Sequence, residues 1–202
     1  MKIKKIISIC KLKKQLILYD DPQRKMQWIS DGHCIYPLAD MAEFNAQTLC
    51  KAHDITESQA NKMLLRDHEQ LPKIFDYSDC NNFEVEVIKN PIRIIQDGKS
   101  VIALETEEGA IFIDSLYLTP LSDYADSDLK IYHRTATNGT TYFAVKFGLI
   151  LVAIITPIDI VDGKFVENLG WFKNICDAAW WNIRNNAKKN DQVEFSEDET
   201  DV

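Results

Sequence analysis

Two stretches of this chain align without a gap at a spacing of 83 residues: WISDGHCIYPLAD, Trp28–Asp40, and IFIDSLYLTPLSD, Ile111–Asp123. Asp31, Pro37, Leu38 and Asp40 fall on Asp114, Pro120, Leu121 and Asp123, and Ile29 and Ile35 fall on Phe112 and Leu118. A chain that repeats a strand-like segment is expected to build two like units around one core. Each copy ends in Pro-Leu-x-Asp. Proline cannot donate to a sheet ladder, which suits a strand exit, and the Ser or Asp that follows suits a helix cap. Thr156-Pro157-Ile158 echoes Thr119-Pro120-Leu121. The expected organisation is a first repeat unit over 1–80 (a meander plus two helices) and a second over 81–163 (mostly strands). A C-terminal helix over 164–190 and a disordered acidic tail over 191–202 complete it.

Local patterning fills in these units. Residues 3–10 and 15–20 read as short strands, and 26–30 and 34–38 as a hairpin around Asp31-Gly32, a tight-turn dipeptide. Helices follow over 43–53 and from Thr56, where Thr56-x-x-Gln59 spells a capping box. Ala60, Met63, Leu64 and Leu71 lie on one face of the second helix. Strands are expected at 83–89, 92–96, 100–106, 110–118, 129–135 and 140–147, the last two joined at Asn138-Gly139. LILVAIITPI is the final strand, and a helix of about six turns covers Phe165–Lys189. The fold class is therefore α+β: antiparallel sheet with packed helices and an internal duplication.

Charge is uneven. The net charge is −8, yet the first fourteen residues hold six lysines and no acid, and the last twelve hold six acids and no base. A globally basic nucleic-acid binder is excluded, while a local basic face is not. Five cysteines without a CxxC read as reduced thiols, with Cys50 and Cys176 as small core hydrophobes. The apolar run 147–161 is shorter than a membrane span and contains Pro157. The expected location is the cytoplasm, with no membrane association.

Motifs for chemistry are sparse. His33 beside Asp31 forms the pattern of a general-base couple, but the tight turn accounts for both residues. Asp123, Asp126 and Asp128 lack the glycine and terminal glutamate of a calcium loop. No phosphate-binding glycine loop or nucleophile elbow occurs. The expectation is a non-enzymatic protein without cofactor or metal. Along the C-terminal helix, Phe165, Leu169, Phe172, Cys176, Ala179 and Ile183 form one stripe. Trp171 widens it, Trp181 lies outside it, and both are candidates for a partner interface.

LCKAHDITESQANKML, Leu49–Leu64, resembles a repressor-type helix-turn-helix, with Asp54 where that motif carries Gly. The resemblance implies double-stranded DNA contacts from Lys51, Gln59, Asn61, Lys62 and Arg66. Most of the chain is similar to uncharacterised proteins encoded in prophages of Gram-positive bacteria. YDDPQRKMQWISDGHCIYPLADM and TTYFAVKFGLILVAIITPIDIV carry much of that likeness. It implies a phage-related role. ISDGHCIYPL and LVAIITPIDI also resemble strands of DNA sliding clamps, although Cys34 replaces an arginine and a long helix follows the last strand. That likeness implies a homo-oligomeric ring whose lysines and arginines touch phosphates without reading bases. Three functional expectations follow: a clamp-like DNA replication accessory, an inhibitor that binds a host or defence protein, and a helix-turn-helix regulator.

Overall fold

The computed structural model describes residues 1–96, 98–125 and 128–194. Contacts divide the chain into two compact units, Met1–Ile158 and Asp159–Val202. The first is α+β. Its helices are α1 (Ile3–Lys13), α2 (Ala46–Ala52) and α3 (Glu57–Ala60). Its strands are β1 (Gln15–Asp21), β2 (Met26–Ser30), β3 (Cys34–Leu38), β4 (Leu64–Gln70) and β5 (Val85–Gln96). They continue with β6 (Lys99–Thr106), β7 (Gly109–Asp114), β8 (Leu129–Thr135), β9 (Thr141–Phe147) and β10 (Ile150–Ile155), and a 3-10 helix covers Ser115–Leu121. The second unit is built on α4 (Gly163–Glu194).

The strands form one ten-stranded sheet in the order β4-β1-β2-β3-β10-β9-β8-β5-β6-β7. Its pairings are antiparallel except β1 with β4. The centre is a palindrome. After α1, strands β1, β2 and β3 run outside-in from one side; after the 3-10 helix, β8, β9 and β10 do the same from the other. The inner strands meet antiparallel at Ile35–Ile154 and Cys34–Ile155. Equivalent strands begin at Gln15 and Leu129, Met26 and Thr141, and Cys34 and Ile150, separations of 114, 115 and 116 residues. The body is thus a pair of like helix-plus-meander halves about a pseudo-twofold axis between β3 and β10.

This symmetry is not the one that the 83-residue recurrence suggests. The two copies agree as far as the aspartate: β2 leads to Asp31 and β7 ends at Asp114, both carboxylates buried. Each then accepts from the backbone N–H two residues on, Asp31 from His33 at 3.0 Å and Asp114 from Leu116 at 3.0 Å. Beyond that shared turn the chains diverge. Pro37 sits inside β3, while Pro120 sits inside the 3-10 helix. The recurrence records a local side-chain-to-backbone turn; the tertiary duplication has another register.

Three further expectations need correction. Residues 3–10 are helical: Ile3, Ile6, Ile7 and Cys10 repeat at 3.6-residue spacing and turn the isoleucines onto the sheet. The segment 110–118 is strand only as far as Asp114, because Asp114 caps the 3-10 helix. The helix from Thr56 keeps its capping box but ends at Ala60. Residues 64–70 pair with the free edge of β1 instead, starting with Leu64 N–H to the Lys14 carbonyl at 2.9 Å; strand pairing overrides helix propensity.

Apolar alternation buries both sheet faces. Leu16 and Leu18 join Ile6, Ile7, Leu49 and Tyr117 under the helices, and each isoleucine buried there contributes about 2 kcal/mol. Ile17, Trp28, Tyr142 and Ile154 face the other way, covered by Leu71, Ile74, Phe75 and Tyr77 of the segment before β5. Arg134 anchors that segment. It is 2% exposed and donates to Glu84 at 2.5 and 2.8 Å and to the carbonyls of Asp76 and Ser78 at 3.0 and 3.1 Å. Lys146 binds the other Glu84 oxygen. Burial alone would raise the Glu84 pKa; the hydrogen bonds from Lys146 and Arg134 outweigh it and hold the carboxyl below its ordinary value.

In the second unit, Asp162 caps α4 by accepting from Phe165 N–H at 2.7 Å. Cys176 is exposed on α4, a correction to its expected place in a core. Residues 195–202 of the acidic tail and Asp126 of the aspartate run lie outside the described residues.

Candidate functional site

The lysine-rich start forms the outer face of α1. Its isoleucines point inward, so Lys4, Ser8 and Lys11 form an exposed stripe one, two and three turns along, and Lys14 closes the helix in a left-handed conformation at φ 56°. Three other lysines hold α1 to the opposite half of the palindrome. Lys2 Nζ lies 2.5 Å from Asp123. Lys5 Nζ donates to the Thr119 carbonyl at 3.1 Å and to Ser122 Oγ at 3.0 Å. Lys13 Nζ lies 3.5 Å from Asp114 and 5.6 Å from the Tyr117 ring centroid. Their charge is committed to folding. Among the described residues Lys4, Lys11 and Lys14 have no ion-pair partner, and they stand on the helix beside the pseudo-twofold axis. Lys4 and Lys11 are about 10 Å apart along the helix axis, the rise of roughly three phosphates along one strand of duplex.

A buried polar clamp holds this geometry. Tyr36 Oη donates to the Tyr117 carbonyl at 2.7 Å, and Tyr117 Oη donates to Asp31 Oδ2 at 3.0 Å. Asp31 Oδ1 accepts from the N–H groups of His33 and Cys34. Gly32, at φ +94°, makes the turn that this requires. Burial, then the Asp31 carboxylate beside it, push the Tyr117 pKa up, so its hydroxyl stays a donor. The Asp31 carboxylate is thereby occupied by the fold, not by the His33 ring.

The helix-turn-helix expectation fares unevenly. Asp54 takes up the left-handed turn, φ 57°, that Gly would normally supply. The second helix, however, is a single turn. Lys51 is exposed on α2, Gln59 is engaged in the Thr56 capping box, Asn61 ends α3, and Lys62 follows it. Arg66 stands on β4, 3.9 Å from Glu69. The structure does not gather these five onto one recognition helix. Trp171 and Trp181 are both exposed on α4.

One cluster was not anticipated. Asp20, Glu43 and His68 bring three potential ligand atoms within 4.8 Å of one another. β4 carries an extra residue opposite β1 between Arg66 and Glu69, and His68 there has φ +56°. That bulge aims the imidazole at Asp20, Nδ1 to Oδ2 2.8 Å, with Glu43 Oε1 at 4.0 Å. The hydrogen bond that His68 donates to Asp20, then the Asp20 charge, raise the His68 pKa. Gln27 and then His68 lower that of Asp20. A cleft of about 300 Å³ adjoins it, lined by Asp20, Lys25, Gln27, Met41 and Glu43 among others. One imidazole and two carboxylates are the donor set for a divalent transition metal, though a proton on Nδ1 competes for the same atom. No sequence signal marks the three, which lie 23 and 25 positions apart and meet through the β1–β4 pairing.

No family model matches this chain, and searches of curated proteins and of solved structures find no match. Among the described residues, no helix is long and apolar enough to cross a membrane.

Proposed function

We propose that the protein is a non-enzymatic DNA accessory factor of phage type, clamp-like in kind, that touches the duplex backbone through the outer face of α1. The observation that carries this reading is the lysine stripe Lys4–Lys11–Lys14 on a helix beside the pseudo-twofold axis of an otherwise acidic chain. Local positive potential on an acidic body attracts polyanions to one face and repels them elsewhere. Flexible ammonium groups on an exposed helix contact phosphates without selecting bases. The likeness to clamps, built from repeated units with lysine-bearing helices, agrees with the palindromic body. The test is fluorescence anisotropy of a labelled duplex at low salt. The wild-type chain is expected to bind and the Lys4→Glu/Lys11→Glu/Lys14→Glu variant, altered only at exposed positions, to lose binding at least tenfold. Equal binding by the two, or none by the wild type, overturns the reading.

A further inference from the structure

α4 has 32 residues, a length of about 48 Å. Phe165, Leu169, Phe172, Cys176, Ala179 and Ile183 recur along it at alternating steps of four and three. That is the 3.5-residue period of a coiled-coil seam. Val166, Ile175 and Trp180 extend the seam on its two sides. The large apolar side chains of this band are between 45% and 65% exposed: Val166, Leu169, Phe172, Ile175, Trp180 and Ile183. At full areas of about 150–250 Å² each, they leave on the order of 650 Å² of apolar surface along one helix face. The largest apolar patch on a typical monomer is about 300–600 Å², and a standard protein interface takes about 800 Å² from each partner. The band has the size of an interface.

We infer that α4 is a self-association element, and that its occupant is α4 of further copies of this chain. A seam of 3.5-residue period is self-complementary, since side chains at its positions fit between the equivalent ones of an identical helix. At its rim Lys173 is paired along the same helix with Asp177 at 2.7 Å. The apolar arc is wider than a two-helix seam uses, because Val166, Ile175 and Trp180 flank it, so the bundle takes more than two copies. A lipid surface fits less well. The face opposite the seam carries Glu167, Asn174 and Asp177 beside the exposed Trp181, not the lysine and arginine row of an interfacial helix.

This inference does not rest on DNA binding and is read without DNA. The experiment is the mass of the full chain in solution, by light scattering after size exclusion, for the wild type, Phe172→Glu/Ile183→Glu on the seam and Asn174→Glu opposite it. The wild type and the Asn174 variant are expected to share one mass of at least three chains, and the seam variant to run as a monomer. Unchanged thermal unfolding of the sheet body in the seam variant shows that the loss is confined to the helix. A monomeric wild type overturns the inference, as does a seam variant of wild-type mass or an Asn174 variant that dissociates equally. A wild-type monomer captured by phospholipid vesicles overturns it in favour of a membrane surface.

Discussion

Asp31→Ala removes the acceptor on which the two halves of the sheet body converge. Three donors lose their partner: the N–H groups of His33 and Cys34 and the hydroxyl of Tyr117. His33 is exposed, so water replaces the carboxylate there. Cys34 and Tyr117 are 0% and 1% exposed, and water reaches neither. Stranding a buried donor costs about 1–3 kcal/mol, so the substitution should destabilise by about 3–4 kcal/mol. For a chain of this size that lowers Tm by roughly 10 °C. Tyr117→Phe strands no donor and leaves Asp31 two partners, so it should cost about 1–2 kcal/mol. The double variant should cost less than the two single changes together, by about 1–2 kcal/mol, because each removes the same bond. Urea unfolding followed by tryptophan fluorescence measures all three. A cost below about 1 kcal/mol for Asp31→Ala, or strict additivity in the cycle, would show that the Asp31–Tyr117 bond does not join the halves.

Other perturbations test the remaining groups. Arg134→Met breaks a buried pair, orphans the Ser78 carbonyl and leaves that of Asp76 only the Tyr142 hydroxyl at 3.4 Å, so unfolding experiments should show a loss of about 3–5 kcal/mol. The depressed pKa of Glu84 gives stability present above the ordinary carboxylate value of about 4.3 and lost as pH falls through the lower folded value. Glu84→Gln should therefore be less stable at neutral pH and flatten the acid limb of the stability curve; an unchanged limb contradicts the assignment. The raised His68 pKa means that its bond to Asp20 stabilises below the ordinary value of about 6.5 and fades as pH rises through the folded value. In Asp20→Asn an NMR titration of His68 should move down toward that ordinary value, and no movement would remove Asp20 as the cause.

The class of fold was legible because its signals are local. Asp31-Gly32 and Asn138-Gly139 marked their hairpins, and alternation marked the strands flanking them. α1 was misread because lysines scattered among isoleucines satisfy a loose alternation as well as a helical period; Ile6 and Ile7, adjacent and both buried, decide for the helix. The true duplication was hidden because corresponding strands share order and pairing, not residue identity. The visible recurrence was a turn reused in two settings. β4 was missed for a different reason. Its sequence carries charges at Arg66, Asp67, His68 and Glu69 and becomes a strand only because β1 presents an open edge. The Asp20–Glu43–His68 cluster is a product of that pairing, so nothing in any one segment could reveal it.

Phosphate contact by Lys4, Lys11 and Lys14 of α1 is the central proposal, and the salt dependence of DNA affinity measures it directly. With three contacts, log K should fall with log salt at a slope of roughly −2 to −3, the same for two duplexes of unrelated sequence. A slope near zero, or an affinity that follows sequence more than salt, would contradict it.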